Sequence, residues 1–135
     1  MRLSASSPAA LRQERAERLR RDRAATLTLR EAFPAVQQLR IELRFEGTAP
    51  NIPTSQSHVL HPPAQAFFSF PCPHADCDGQ FDLTAAANAV LSNQPVAEAQ
   101  GVLKCSGQRL DRRASRVPCE LHLHYKLSVL YKDGG

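Results

Sequence analysis

The stretch Phe70-Pro71-Cys72-Pro73-His74-Ala75-Asp76-Cys77-Asp78-Gly79-Gln80-Phe81 decides the fold. Two cysteines stand with four residues between them, bracketed by proline and glycine. A phenylalanine-rich run leads in and a helix signal follows. The other cysteines, Cys105 and Cys119, sit at the facing ends of two more strand-like runs. A turn rich in Pro and Gly can aim Cys72 and Cys77 at one point, and Gly79 can supply a positive φ for the tight return. If the two later runs form an antiparallel hairpin, Cys105 and Cys119 face each other about 4.5–5.5 Å apart at Cα. Cys72, Cys77, Cys105 and Cys119 are therefore expected to be thiolate ligands of one structural Zn2+, which favours four soft ligands in a tetrahedron.

The alternatives are two disulfides or four buried, unliganded thiols. The start of the chain, Met1-Arg2-Leu3-Ser4-Ala5-Ser6-Ser7-Pro8, has no apolar run behind its arginine. It does not read as a secretory signal, so a cytoplasmic placement is expected. In that reducing compartment an even cysteine count favours metal over disulfides. Four structural thiolates gain on the order of 10–16 kcal/mol of apparent zinc binding at neutral pH. One disulfide contributes about 2–4 kcal/mol. A core this small benefits more from the metal. His74 lies in the same short turn and is expected to face solvent rather than replace a cysteine.

The strand-to-knuckle entry and the β-rich surroundings resemble a zinc ribbon over roughly residues 66–131. The resemblance rests on cysteine order. Ribbons usually carry two short C-x2-C knuckles, whereas the gaps here are four and thirteen residues.

No catalytic constellation is visible, and no enzyme is expected. Asp76 and Asp78 flank Cys77, but the H-x-E…P-C-x-x-C deaminase pattern is absent. There is no phosphate-cradling glycine loop and no G-x-S-x-G. Four cysteine ligands would also close the site to substrate. No small-molecule substrate is indicated.

The length of 135 residues suits one domain with an appendage. The expected division is a basic helical arm over 1–27 and a zinc-binding α+β domain over 28–132. Ser7-Pro8 reads as N-cap and first helical residue, and residues 9–25 are good helix formers. The apolar face of this helix is thin: Leu11, Ala16, Leu19 and Ala24. It reads as a solvated, partly frayed helix or as an arm that orders on an acidic partner. Thr28-Leu29-Arg30-Glu31 matches a capping box. Leu39, Ile41, Leu43 and Phe45 then alternate with polar residues, the period of a strand with one wet face, which Gly47 ends.

Residues 48–65 read as a loop rich in proline, with a short strand near Ser57–Leu60. Histidines His58 and His61 read as exposed. Gln65–Phe70 reads as a second strand, a helix covers 85–91, and a third strand runs from about Ala97 to Cys105. The last and clearest strand alternates from Cys119 to Lys132, and its length places it centrally. The expected fold is thus α+β: a small antiparallel sheet of about four strands with a zinc-ribbon-like site made of four cysteines. One short helix follows the knuckle, and a basic N-terminal helix precedes the whole.

The net charge of +4 sits in the first third of the chain. Residues 1–46 hold ten arginines against six acids, whereas residues 47–135 hold seven of each sign. Zinc on four thiolates would lower the total to about +2. Basicity alone is thus a weak pointer to nucleic acid. Two classes of partner follow. One is a protein partner or self-association, through the Phe67 side or the face carrying His122 and His124. The other is nucleic acid, bound by Arg18 and Arg21 of the first helix with Arg109, Arg112, Arg113 and Arg116 of the 106–118 loop. Those guanidinium groups can pair with phosphates, or simply offset the thiolates. The loop has no aromatic residue for base stacking. No stretch is apolar over the roughly 18 residues a membrane span needs.

Overall fold

The computed structural model describes residues 7–46, 55–74, 76–110 and 115–132. The chain opens with α1 (Pro8–Ala24), followed by α2 (Leu29–Ala32), β1 (Val36–Glu46) and β2 (Ser55–Leu60). The strands β3 (Ser69–Pro71) and β4 (Gln80–Asp82) enclose the first cysteine pair, and α3 (Thr84–Leu91) follows. Then come β5 (Glu98–Lys104), β6 (Gln108–Leu110), β7 (Arg116–Pro118) and β8 (His122–Tyr131). Gly47, Arg112 and Arg113 lie outside the described residues.

The fold is α+β, with a four-stranded antiparallel sheet in the order β2-β1-β8-β5. β8 is central, as its length implied. The alternation in β1 holds: Leu39, Ile41, Leu43 and Phe45 are buried, and Arg40, Glu42, Arg44 and Glu46 are exposed. Leu123, Leu127 and Val129 of β8 join them on the inner face. Against that face pack Leu29 of α2, Phe68, Phe81, Leu83, and Ala87, Val90 and Leu91 of α3. Phe45 meets Phe81 with ring centroids 5.9 Å apart, a tilted contact of the kind aromatic pairs favour. The four cysteines lie at one end of this core.

Two strand expectations change. The fourth strand of the sheet is Ser55–Leu60, not Gln65–Phe70. The prolines of that region flank residues 55–60 instead of interrupting them, and an edge strand needs only one bonded side. Within the 65–70 run, ladder pairing begins only at Ser69, in the short β3–β4 hairpin, where Phe70 faces Phe81. Leu27 and Gln65 instead anchor the preceding segment: Ala66 N–H donates to Leu27 O at 2.7 Å, and Gln65 Nε2 donates to Thr26 O at 2.8 Å. The capping box is complete. Thr28 Oγ1 accepts from Glu31 N at 3.2 Å, and Glu31 Oε1 accepts from Thr28 N at 3.0 Å.

The register predicts opposite outcomes for neighbouring leucines of β8. Leu127 is 0% exposed and Leu130 is 52% exposed. Leu127→Ala is expected to cost about 2–5 kcal/mol, and Leu130→Ala about 0.5 kcal/mol or less. Urea midpoints of the two variants measure this directly.

Candidate metal centre

Two ladders build the centre from the later half of the chain. In the first, Lys104 of β5 faces His122 of β8; in the second, Gln108 of β6 faces Pro118 of β7. The register is the same in both. They are one long hairpin, interrupted at residues 105–107 and 119–121. Cys105 N–H donates to Leu121 O at 2.9 Å, and Cys119 N–H donates to Gly107 O at 3.0 Å. Cys105 and Cys119 therefore do not face each other as expected. They are diagonal neighbours with two residues of offset. Cys119 also precedes β8 instead of opening it. The period of two keeps both side chains on one face of the hairpin, and the break in the ladder lies where the sulfurs converge.

The first pair comes from the turn between β3 and β4, closed by Cys72 N–H to Gly79 O at 3.1 Å. The outer limb of this turn is joined to β6. Asp78 N–H donates to Gln108 O at 3.1 Å, Leu110 N–H donates to Asp76 O at 3.0 Å, and Cys77 bridges Arg109. The early turn thus adds as an extra strand to the interrupted hairpin.

All four cysteines are buried, and their Sγ atoms lie within 4.8 Å of one another. Cys72 and Cys119 approach to 3.8 Å between sulfurs, and Cys77 and Cys105 to 3.7 Å. A disulfide needs about 2.05 Å, and all four are free thiols. A regular tetrahedron of sulfurs about 2.3 Å from a central ion has edges of about 3.8 Å. The separations of 3.7 and 3.8 Å match that edge. Each half also contributes an N–H to a sulfur: Gly79 to Cys77 at 3.3 Å and Gly107 to Cys105 at 3.4 Å. Such bonds favour thiolate over thiol.

Without a cation, the thiols of Cys72, Cys77 and Cys105 share their protons unequally. Hydrogen bonds from the Cys72 and Cys77 thiols pull Cys105 down to about 4. Donation to Cys105 holds both Cys72 and Cys77 above the ordinary thiol range. One sulfur ionises easily, and its neighbours resist. A metal ion would remove this repulsion and release the protons.

Gly79 matters for a reason other than the one expected. Among the described residues no glycine has a positive φ. Instead, Gly79 and Gly107 lie back to back between the two halves. A Cβ on Gly79 would stand 2.5 Å from Cys105 Sγ and 3.0 Å from Gly107 Cα. A Cβ on Gly107 would collide with the Gly79 backbone. The signal was present in the sequence as a repeated C-x-G, Cys77-Asp78-Gly79 and Cys105-Ser106-Gly107.

The basic helix is anchored to this centre. Ser7 Oγ caps α1 by accepting from Ala10 N at 3.2 Å. Leu11, Arg15 and Leu19, four residues apart, form its inward stripe, with exposures of 2%, 9% and 7%. Leu11 packs on Leu110. Arg15 Nη1 donates to Cys77 O at 2.6 Å and to His74 O at 3.3 Å. Arg18 Nη2 donates to Asp78 O at 3.0 Å, and Arg18 Nε donates to Gln80 Oε1 at 3.3 Å. Arg15 was missed as a site residue, although an arginine interrupting a thin apolar stripe at four-residue spacing is a readable sign. His74 does not face solvent. It is buried, and that burial lowers its pKa.

Arg109 and Arg116 turn to carboxylates of the early turn. Arg109 grips Asp76 with two bonds, Nε to Oδ1 at 2.9 Å and Nη2 to Oδ2 at 3.2 Å. Arg116 Nη1 donates to Asp78 Oδ2 at 3.0 Å. Arg21 is exposed in the last turn of α1. On the open face of the sheet, His124 Nε2 meets Glu46 Oε2 at 2.6 Å, and His122 pairs in register with Glu46. His58 stacks on Phe70 with ring centroids 4.8 Å apart, and Arg23 lies over the Phe67 ring at 5.2 Å. Among the described residues no helix is long and apolar enough to cross a membrane.

Two substitutions test this construction. Arg15→Met leaves two knuckle carbonyls without their donor and is expected to cost about 1.5–3 kcal/mol, with faster proteolysis within α1. Gly107→Ala is expected to cost about 1–3 kcal/mol or more through overpacking and to weaken metal uptake. Wild-type urea midpoints would show that neither contact holds the centre together. No protein-family model, curated protein or solved structure matches this chain, so its function has to be argued from the centre itself.

Proposed function

We propose that Cys72, Cys77, Cys105 and Cys119 hold one Zn2+ in a structural role, within a non-catalytic module that works through protein interaction or assembly. The observation that carries the metal reading is the sulfur geometry: two separations of 3.7 and 3.8 Å inside a buried group spanning 4.8 Å. All-sulfur tetrahedra suit zinc or iron. Zinc is the choice here because it needs no redox partner and uses four thiolates to fix a fold. The ion supplies cross-linking of two chain segments and charge neutralisation. The protein's residues exclude water from it, donate N–H groups to two sulfurs and clamp the early turn with Arg15, Arg18, Arg109 and Arg116. With four protein ligands, no position is left for a substrate. A C-x-G in each half, at Cys77 and at Cys105, supports a zinc-ribbon-like description.

The nucleic-acid reading is the lesser one. Arg18, Arg109 and Arg116, on which it partly relied, are engaged with Asp78 O, Asp76 and Asp78. It rests on Arg21 and its exposed neighbours in α1, together with Arg112 and Arg113, which lie outside the described residues. It predicts binding that weakens steeply with salt.

Elemental analysis is expected to find one zinc per chain. Chelation is expected to loosen residues 66–125, read by amide exchange, and Cys72→Ser or Cys119→Ser to do the same. A folded Cys72→Ser protein with full metal occupancy and unaltered exchange would remove the assignment. Iron in place of zinc would keep the site and correct the ion.

A further inference from the structure

The strand β5 is one edge of the main sheet, and its inner neighbour is β8. Which of its backbone groups point outward follows from the register. Cys105 N–H donates to Leu121 O, and Ala97 O accepts from Val129 N–H. Residues of that parity, Ala99, Gly101 and Leu103, therefore direct N–H and C=O toward β8. Glu98, Gln100, Val102 and Lys104 direct theirs outward. Among the described residues no backbone group bonds to them. Edges like this are usually blunted by a proline, a bulge or an inward charge. None of these occurs inside β5.

The side chains of this edge are self-complementary. Glu98 and Lys104 stand three residues either side of Gly101, and both are exposed. If a second β5 is laid antiparallel alongside the first with Gly101 opposite Gly101, Glu98 meets Lys104 at both ends. Gln100 meets Val102, and Ala99 meets Leu103. The residues paired through hydrogen bonds are then Glu98 with Lys104 and Gln100 with Val102, the same four whose backbone groups point outward. Hydrogen-bond parity admits only registers that pair these even-numbered residues with one another, and the charge pattern selects one of them. A parallel arrangement or an offset one places like charges together or leaves the charges unpaired. Ala99 and Leu103 are half-buried and packed against the core, so the pairing extends that apolar layer across the joint. Gly101 is covered by its own Tyr125, whose Oη would be 2.5 Å from a Cβ there, so the strand stays flat against its neighbour where the two copies meet.

We infer that this chain forms a symmetric dimer by antiparallel pairing of β5 with the β5 of a second copy, making one continuous eight-stranded sheet. The inference rests on the assembly reading above and names its partner. The joint is the pairing of one strand with one strand, and its strength is read by the concentration series below. β2, the other edge, carries no charged residue and offers no comparable register.

The test uses the full zinc-loaded chain, with mass measured by light scattering across a concentration series. Wild type is expected to reach twice the monomer mass. Glu98→Lys and Lys104→Glu are each expected to weaken self-association about tenfold or more, since each sets like charges opposite each other at both ends. An equimolar mixture of the two variants is expected to form a heterodimer, because every pair is again of opposite sign. The double variant Glu98→Lys/Lys104→Glu is expected to recover the homodimer. Val102→Pro, which removes an outward N–H, is expected to be folded and monomeric. In the wild-type dimer the amides of Gln100 and Val102 are expected to exchange slowly. A wild-type chain that stays monomeric, a dimer indifferent to the charge variants, or a mixture that fails to pair would each overturn the inference. Zinc content measured on the same samples separates the two failures. A zinc-loaded monomer sinks this pairing alone, and a chain without zinc sinks the metal reading.

Discussion

Four sulfur atoms crowded within 4.8 Å are not an arrangement an apolar core adopts for its own packing. Thiols that close share protons awkwardly, and thiolates repel. The surrounding chain nevertheless spends two backbone interruptions, two back-to-back glycines and a buried arginine on keeping them together. The first pair comes from a turn between residues 71 and 80, and the second from a break in a hairpin nearly thirty residues later. What joins them without a metal is a short run of backbone bonds between the Asp76–Asp78 limb and β6, together with the ion pairs of Arg109 with Asp76 and Arg116 with Asp78. A cation held by the four sulfurs, as proposed, would turn that seam into a cross-link between the early and late halves of the chain. The sheet, α3 and the buried phenylalanines then form one continuous core that ends at the cysteines.

Electrostatics extend this organisation to the N-terminal helix. Among its described residues α1 has Leu11 and Leu19 as buried apolar anchors, too little to hold the helix by burial. Its remaining attachment is polar: guanidinium groups reach carbonyl oxygens of the turn at His74, Cys77 and Asp78. Bonds from a charged donor are worth more than neutral ones. Their direction also suits the site, because positive charge lies near a group of ionisable sulfurs. Arg109 and Arg116 do similar work from the other side through Asp76 and Asp78. The arginine excess is thus partly structural, and the net charge of +4 overstates what remains for a partner.

Much of this was legible beforehand, for specific reasons. Period-two alternation in β1 and β8 is strong because one face of the sheet is wet, so those strands and their buried residues could be read directly. The capping box at Thr28 is a local interaction and appeared as written. The cysteine cluster was legible because cysteine has few other reasons to occur in fours. What could not be read depended on long-range pairing. A short strand near Ser57–Leu60 was read amid the prolines, but its place as the fourth strand of the main sheet was not, because that depends on pairing with β1. The Phe-rich run looked like a strand because aromatic residues favour both strands and cores, and only the core role applies to Phe68. The facing of Cys105 and Cys119 failed by two residues, since hairpin register is set by the whole ladder. The carbonyl clamp of Arg15 requires knowing what lies beneath the helix, and the close approach of Gly79 and Gly107 requires knowing that the two knuckles touch.

The shared register of β5–β8 and β6–β7 has a consequence for chain length. Because one ladder continues through the cysteines, the spacing from Lys104 to Gln108 and from Pro118 to His122 is fixed residue for residue. One residue gained or lost there would reverse which side of the hairpin the sulfurs leave from. A peptide tag or a small inserted domain placed beside either later cysteine would therefore dismantle the thiol cluster.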